Sequence, residues 1–249
     1  MSSRIASSVA HTLSGDVLAR LSALVDALSE ALGPELHGLV VYGSAARGEW
    51  RDGVSDVNLL IETGVIDFER IDAMAGALSD ARERGRVEPL LLTDREIRTG
   101  ADAFAVLVED IRRDHTRLMG TSALLQVSTT TEQLRLGAER ELRGAHMRLR
   151  RARMGFTRSD DSQRRRLYRD YTRCMASLKA LLALSSREVP PGAAAVEAAV
   201  AALLDVDAAP LAALRALPGA DADAPLAAVA AGFSATLDAA IERIDALAL

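Results

Sequence analysis

The sequence predicts an α+β chain in which a small unit with a mixed sheet is followed by an all-helical bundle. Short β-branched apolar runs alternate with helical patterns up to about residue 120. After that point strand patterns are absent, and apolar residues recur every three or four positions. Strands mixed with helices and then a run of helices indicate two separate units. We place the boundary near residues 119–131 and predict domains at residues 1–119 and 120–249.

The first unit opens with a helical stripe of apolar residues over residues 14–32, which Gly33-Pro34 ends. A second helical pattern covers residues 67–84. Thr93 and Glu96 have the spacing of a capping box and predict the start of a short helix. Between these helices, short apolar runs predict strands. The predicted strands are Leu39–Tyr42, Asp56–Ile61, Val87–Leu92 and Phe104–Val108.

The second unit is predicted to be helical throughout. Apolar residues step by three and four from Leu134 to Phe156 and again over residues 164–184, which predicts two long helices. Pro190-Pro191-Gly192 then interrupts the chain, and two or three alanine-rich helices follow.

The composition excludes several classes of protein. The chain has 249 residues, of which 49% are hydrophobic and 26% charged, as in ordinary globular proteins. A single cysteine, Cys174, excludes an intramolecular disulfide and a zinc site built on cysteines. The sequence contains no uncharged apolar run of about 18 residues, and its first residues lack the apolar core of a secretory signal. We therefore expect a cytoplasmic protein with no membrane contact.

The net charge of −5 excludes a basic field over the whole protein, but the charge is uneven. Residues 132–173 hold thirteen arginines against six acids, whereas residues 185–249 hold three arginines against nine acids. Two interpretations stay open. The opposite charges pair with each other or lie on solvated faces, or the arginine-rich helices form a surface for an RNA or protein partner.

The chemistry is concentrated in two short segments. Gly43 follows an apolar strand and allows a tight turn, and Ser44 begins a short helix whose free N–H groups can face a phosphate. Arg47 lies one turn further on and can pair with phosphate. On the next strand, Asp56 and Asn58 point to the same face and offer two oxygen ligands suited to Mg²⁺. The order of these segments predicts a phosphate cradle beside a metal site.

These segments resemble the nucleotidyltransferase superfamily with the DNA polymerase beta-type catalytic domain. In that family Gly-Ser ends one strand and a second strand brings Asp-x-Asp, usually after a serine. Gly43-Ser44 and Ser55-Asp56 match, as does the apolar run Leu59-Leu60-Ile61. The motifs cover about residues 39–92. The layout of the whole chain, with its C-terminal helices, also resembles the bacterial antibiotic adenylyltransferases.

The resemblance implies transfer of a nucleoside monophosphate from a nucleoside triphosphate to a hydroxyl acceptor, with Mg²⁺ or Mn²⁺ as cofactor. It implies that Asp56, Asn58 and Glu88 hold the metal and that Gly43, Ser44 and Arg47 bind the nucleotide. Glu88 is otherwise an ordinary strand residue with its carboxylate in water. The sequence does not specify the acceptor. Three classes stay open: a small molecule, a protein side chain and an RNA end.

Asn58 departs from the family pattern, which has a second aspartate. An amide keeps one oxygen for a cation but lacks the negative charge that two neighbouring divalent ions need. Three interpretations stay open: a one-metal enzyme, a nucleotide-binding domain without transferase activity, or a second ligand elsewhere in the chain. The competing function is therefore a catalytically inactive regulatory protein that binds a nucleotide or a partner.

Overall fold

The computed structural model describes residues 7–154, 160–219 and 225–247, and these residues form two compact units. One unit is Met1–Phe104 with Val108–Thr129, and the other is Ala105–Leu107 with Thr130–Leu249. The predicted division after residue 119 stays a prediction. Among the described residues, none of the helices combines the length and the apolar character that crossing a bilayer requires.

The first unit contains a sheet whose four described strands are flanked by helices. The strand order is β3-β2-β1-β4, with β1 antiparallel to β2 and β4 and with β2 parallel to β3. The strands are β1 (Leu36–Tyr42), β2 (Val57–Thr63), β3 (Val87–Thr93) and β4 (His115–Gly120). The helices are α1 (Ser7–Ala10), α2 (Gly15–Leu32), α3 (Ser44–Arg47), α4 (Phe68–Gly85), α5 (Asp94–Gly100) and α6 (Ala105–Arg113), of which Ala105–Leu107 belong to the other unit.

The two central strands are the ones with continuous apolar runs. Leu39, Val40 and Val41 of β1 and Leu59, Leu60 and Ile61 of β2 are fully buried. A strand covered on both faces requires apolar residues at successive positions, and this is why these runs were recognisable as strands. Helices α2 and α4 occupy the positions predicted from their apolar spacing. The prediction of a mixed-sheet α+β unit followed by a helical region is confirmed.

The prediction of a fourth strand at Phe104–Val108 is wrong. Phe104 precedes helix α6, in which Ala105, Val108 and Ile111 are buried at intervals of three residues. This is helical spacing. A run of only five apolar residues is compatible with a strand or a helix, and for this reason the sequence pattern did not indicate the helix. The fourth strand is instead β4, an edge strand with alternating partial exposure, whose polar sequence lacks an apolar run.

The capping box predicted at Thr93 is present at the start of α5. The Glu96 N–H donates to Thr93 Oγ1 over 3.1 Å, and the Thr93 N–H donates to Glu96 Oε2 over 2.8 Å. These bonds satisfy donors that a helix start otherwise leaves without partners. The hydrogen bond from the Thr93 N–H, followed by one from the Thr93 hydroxyl, lowers the pKa of Glu96.

We expect Thr93→Ala to lower the free energy of unfolding by about 1 kcal/mol, because it removes the acceptor for the Glu96 N–H. Urea denaturation measures the change. Thr99→Ala is the control, since the Thr99 hydroxyl only donates to the Arg95 carbonyl within the same helix. Equal losses for the two variants would contradict a role of the cap in stability.

The second unit is helical throughout its described part. A core mainly of leucine, valine, alanine and isoleucine, with Phe233, Tyr171 and Cys174, joins its helices. Helix α7 ends at Arg153 with Met154 as its C-cap, and residues 155–156 of the predicted continuation to Phe156 lie outside the described residues. The helices of this unit are α7 (Thr131–Arg153), α8 (Asp160–Leu184), α9 (Ala193–Leu204), α10 (Ala209–Ala216) and α11 (Leu226–Asp245).

Candidate functional site

The turn after β1 brings the backbone close to Asn58. Gly43 has φ +74° and ψ −144°, a conformation that residues with a side chain rarely adopt. A Cβ atom at this position would lie 3.0 Å from Asn58 Nδ2. Glycine is therefore favoured for two reasons: the backbone angle is strained for a residue with a side chain, and an added Cβ would require Asn58 to shift. The turn and strand β2 meet as the sequence predicted.

The strand registers place four polar residues in one row across the sheet. Asn58 on β2 pairs with Glu88 on β3 and with Tyr42 on β1, and Tyr42 pairs with His115 on β4. Residues that pair across neighbouring strands face the same side of a sheet. The prediction that Asn58 and Glu88 lie on neighbouring strands is confirmed. Their roles as metal ligands stay predictions.

Tyr42 and His115 were not among the predicted site residues. Tyr42 is the last residue of β1, immediately before Gly43. This position next to the glycine turn is the sequence feature that could have identified Tyr42 as a site residue. Burial, followed by the nearby charges of Asp110 and Glu88, raises the pKa of Tyr42 to about 12, so its phenol stays protonated at neutral pH. His115 Nδ1 lies 3.1 Å from the Ile111 carbonyl oxygen and 3.2 Å from that of Arg112, at the end of α6.

Asp56 immediately precedes β2 instead of lying within it. Its side chain is about half exposed, and its Oδ1 atom accepts hydrogen bonds from Arg86 Nη2 at 2.9 Å and Nε at 3.1 Å. Glu88 is similarly exposed and lies 3.5 Å from Arg82 Nε. Each of the two carboxylates predicted to bind metal therefore has an arginine as a neighbour.

Arg47 is engaged by two carboxylates of its own unit. Its Nε donates to Glu49 and its Nη1 to Asp114, each over 3.0 Å. Burial alone would lower the pKa of Arg47, but the hydrogen bond to Glu49 and the charges of both acids raise it. The guanidinium stays charged, and its partners hold it in place beside the turn. Its role in phosphate binding stays a prediction.

Trp50, His37 and His146 bear on the site less directly. Trp50, in the loop after α3, is only 9% exposed and packs within the core of the first unit, with its Nε1 lacking a hydrogen-bond partner. His37, near the opposite end of β1 from the Gly43 turn, lies 3.1 Å from Asp94. His146 lies in the second unit, between Ser234 and Asp238.

By ligand type, the three residues predicted to hold a metal suit one hard cation better than two. Asp56 and Glu88 would supply carboxylate oxygens and Asn58 an amide oxygen, which are ligand types that Mg²⁺ accepts together with water. In the described residues, however, no group of three histidine, cysteine, aspartate or glutamate side chains is arranged to hold a metal ion. The site thus lacks the concentration of negative charge that a pair of divalent ions requires.

The arginines of α7 are largely paired with acids of their own unit. Arg135 contacts Glu132 and Glu139, and Arg143 contacts Glu139. Arg143 also reaches Asp245 near the acidic end of the chain over 2.7 Å. These contacts favour the interpretation in which the opposite charges pair with each other. The alternative, in which the arginine-rich helices form a surface for an RNA or protein partner, stays a prediction.

The sheet order, the glycine turn and the following helical region define a nucleotidyltransferase-like α+β fold. The chain is similar in structure to a spectinomycin adenyltransferase from Enterococcus faecialis, which was crystallised with ATP and spectinomycin. The TM-score is 0.58 and the sequence identity is 11%, and the match covers 91% of this chain and 98% of that one. No protein-family model matches the chain, and no curated protein matches it.

Proposed function

We propose that this chain binds a nucleoside triphosphate beside the Gly43-Ser44 turn and that its transfer of a nucleoside monophosphate to a hydroxyl acceptor is weak or lost. The supporting observation is the close approach of Gly43 to Asn58, with Glu88 paired to Asn58 on the next strand. Two parts of the predicted motif, the glycine turn and strand β2, therefore lie next to each other, with an amide at the position of the family's second acid. The likeness to an adenyltransferase crystallised with ATP supports a nucleotide as the ligand.

In the proposed site, the Gly43 turn lets the phosphates approach the backbone, and the Ser44 hydroxyl and the first N–H groups of α3 donate hydrogen bonds to them. Mg²⁺, or Mn²⁺ in its place, would be held by Asp56, Asn58 and Glu88 and would neutralise phosphate charge when bound. For transfer, the acceptor oxygen forms a bond to the α-phosphorus, and pyrophosphate leaves. The acceptor proton passes to the Glu88 carboxylate.

Because position 58 carries an amide, we propose nucleotide binding with weak or absent transfer. Loss of one cation site removes about 4 kcal/mol of transition-state stabilisation, which is about a thousandfold in rate. The arginine neighbours of Asp56 and Glu88 act in the same direction, because each places positive charge beside a carboxylate on which the cation would depend. A catalytically inactive nucleotide-binding regulator is accordingly the second candidate function, and the same two ion pairs favour it.

The experiment that tests the proposal separates binding from turnover. Titration calorimetry with ATP, GTP, CTP and UTP, each with Mg²⁺ or Mn²⁺, measures binding, and release of labelled pyrophosphate measures transfer. We expect saturable binding of at least one nucleotide with little or no pyrophosphate release. The absence of binding for all four nucleotides would overturn the proposal. Rapid pyrophosphate release would instead show a fully active transferase.

Asp56→Asn is the matched loss variant for the metal. We expect it to remove the Mg²⁺-dependent part of nucleotide binding, because it removes the remaining carboxylate charge from the start of β2. Asp52→Asn is the control, since Asp52 lies in the same loop and its carboxylate accepts from the Gly53 N–H. If both variants bind Mg²⁺ as the unaltered protein does, Asp56 is not a ligand.

A further inference from the structure

Arg86 forms the densest set of hydrogen bonds next to the candidate metal site. Besides its two bonds to Asp56 Oδ1, its Nη1 donates to the Gly53 carbonyl over 2.8 Å, and its Nη2 donates to the Val54 carbonyl over 3.0 Å. One guanidinium therefore joins the end of α4 to the loop before β2 and to the first predicted metal ligand.

The backbone of Arg86 supports this position. Arg86 follows α4 with φ +51° and ψ +32°, a left-handed conformation that is uncommon for a residue with a side chain. Its N–H donates to the Ala81 carbonyl, and its own carbonyl accepts from the Val57 N–H over 2.8 Å. Both main-chain bonds hold Arg86 between the helix end and the start of β2, directly beside Asp56.

A cation already in contact with Asp56 weakens the binding of a second one. The guanidinium supplies positive charge to the carboxylate oxygen, and a divalent ion that approaches the same carboxylate must displace it or tolerate its repulsion. Glu88 has a weaker arginine contact of 3.5 Å to Arg82, and Asn58 carries no charge. Asp56 is thus the group at which this competition has the largest effect.

We propose that Arg86 is an internal cation that competes with a divalent metal ion for the Asp56 carboxylate and so sets the metal affinity of the site. This inference rests on the proposed function, because it takes Asp56 as a metal ligand. Arg86 acts through Asp56 as a positioning residue. Its bonds to Gly53 and Val54 also fix the loop before β2. A metal ion that displaces Arg86 from Asp56 would therefore loosen this loop.

The test is calorimetric titration with Mg²⁺ alone, without nucleotide, on the unaltered chain and on Arg86→Gln. We expect the variant to bind Mg²⁺ about two- to fivefold more tightly, the range that follows from the strength of an exposed ion pair. Arg86→Gly is the second variant, because glycine adopts the left-handed backbone without strain and keeps the fold while the guanidinium is absent. Both variants should show the same increase.

Two controls distinguish the effect of the contact between Arg86 and Asp56 from that of a change in net charge. Arg84→Gln removes one positive charge from the same helix, where Arg84 pairs with Asp80, and should leave the Mg²⁺ affinity unchanged. In an Asp56→Asn background, in which Mg²⁺ binding is expected to be lost, Arg86→Gln should not restore it, since the shared carboxylate charge is absent. Recovery of Mg²⁺ binding in this double variant would show that Arg86 acts by a route other than Asp56 and would overturn the inference.

Equal Mg²⁺ affinity in the unaltered chain and both Arg86 variants would overturn this inference while leaving nucleotide binding untouched. An equal gain in Arg84→Gln would also overturn it, because the effect would then be one of net charge. The absence of Mg²⁺ binding in every form would overturn both the competition and the assignment of Asp56. Nucleotide titration without metal tests the proposed function separately.

Discussion

Asn58→Asp is expected to bind Mg²⁺ at least about tenfold more tightly than the unaltered chain and to show pyrophosphate release about a thousandfold faster. The substitution places a carboxylate between Gly43 and Glu88, where the chain has a neutral amide. A hard cation prefers the charged oxygen, and a second cation then has a ligand. The measurements are Mg²⁺ calorimetry and release of labelled pyrophosphate.

The metal-free form of the same variant should be slightly less stable, because the carboxylate introduced at position 58 is repelled by those of Asp56 and Glu88, and Mg²⁺ should restore the loss. Gln133→Glu is the matched control: it makes the same change from amide to carboxylate, at the capping position of α7, where glutamate is equally suitable. Equal Mg²⁺ affinity for Asn58→Asp and the unaltered chain would mean that position 58 is not a ligand.

Gly43→Ala is expected to lower the free energy of unfolding by about 1–3 kcal/mol and to weaken nucleotide binding by about tenfold or more. The backbone angles of Gly43 are strained for alanine, and the added Cβ atom would meet Asn58 Nδ2 at 3.0 Å. Relief of that contact must move the turn, Asn58 or both. Urea denaturation and nucleotide calorimetry measure the two effects.

Gly33→Ala separates backbone strain from damage to the site. Gly33, at the end of α2, has φ +52° and ψ −125°, which resembles the conformation of Gly43, but no atom lies within 4 Å of its added Cβ position. It should therefore lose stability without loss of nucleotide affinity. If the two variants lose affinity to the same extent, the Gly43 turn has no special place in nucleotide binding.

Local patterns predicted the elements that carry the site. Strands β1 and β2 were recognisable because both of their faces are buried, so their apolar residues are continuous. The helices α2, α4 and α7 were recognisable from their apolar spacing, and the Thr93 cap from residues three apart. In each case the information lies within a few neighbouring residues, and the sequence contains it directly.

Elements that depend on distant partners were predicted less well. Strand β4 forms because its backbone hydrogen-bonds to the free edge of β1, and its sequence contains no continuous apolar run that would predict a strand. The segment at Phe104–Val108 is apolar enough for either a strand or a helix. It forms a helix because α6 packs with its apolar residues buried at helical spacing. Edge pairing and packing of this kind involve residues far apart in the chain.

By itself, the sequence determined the order of turn, helix and strand around Gly43 and Asp56, and the missing charge at Asn58, because these are properties of adjacent residues. Only the tertiary structure decided that Tyr42 and His115 share a row with Asn58 and Glu88, that Arg47 pairs with Asp114, and that Arg86 meets Asp56. Charged side chains choose their partners by proximity in space, and proximity between residues 30 or 67 positions apart arises only when the sheet has formed.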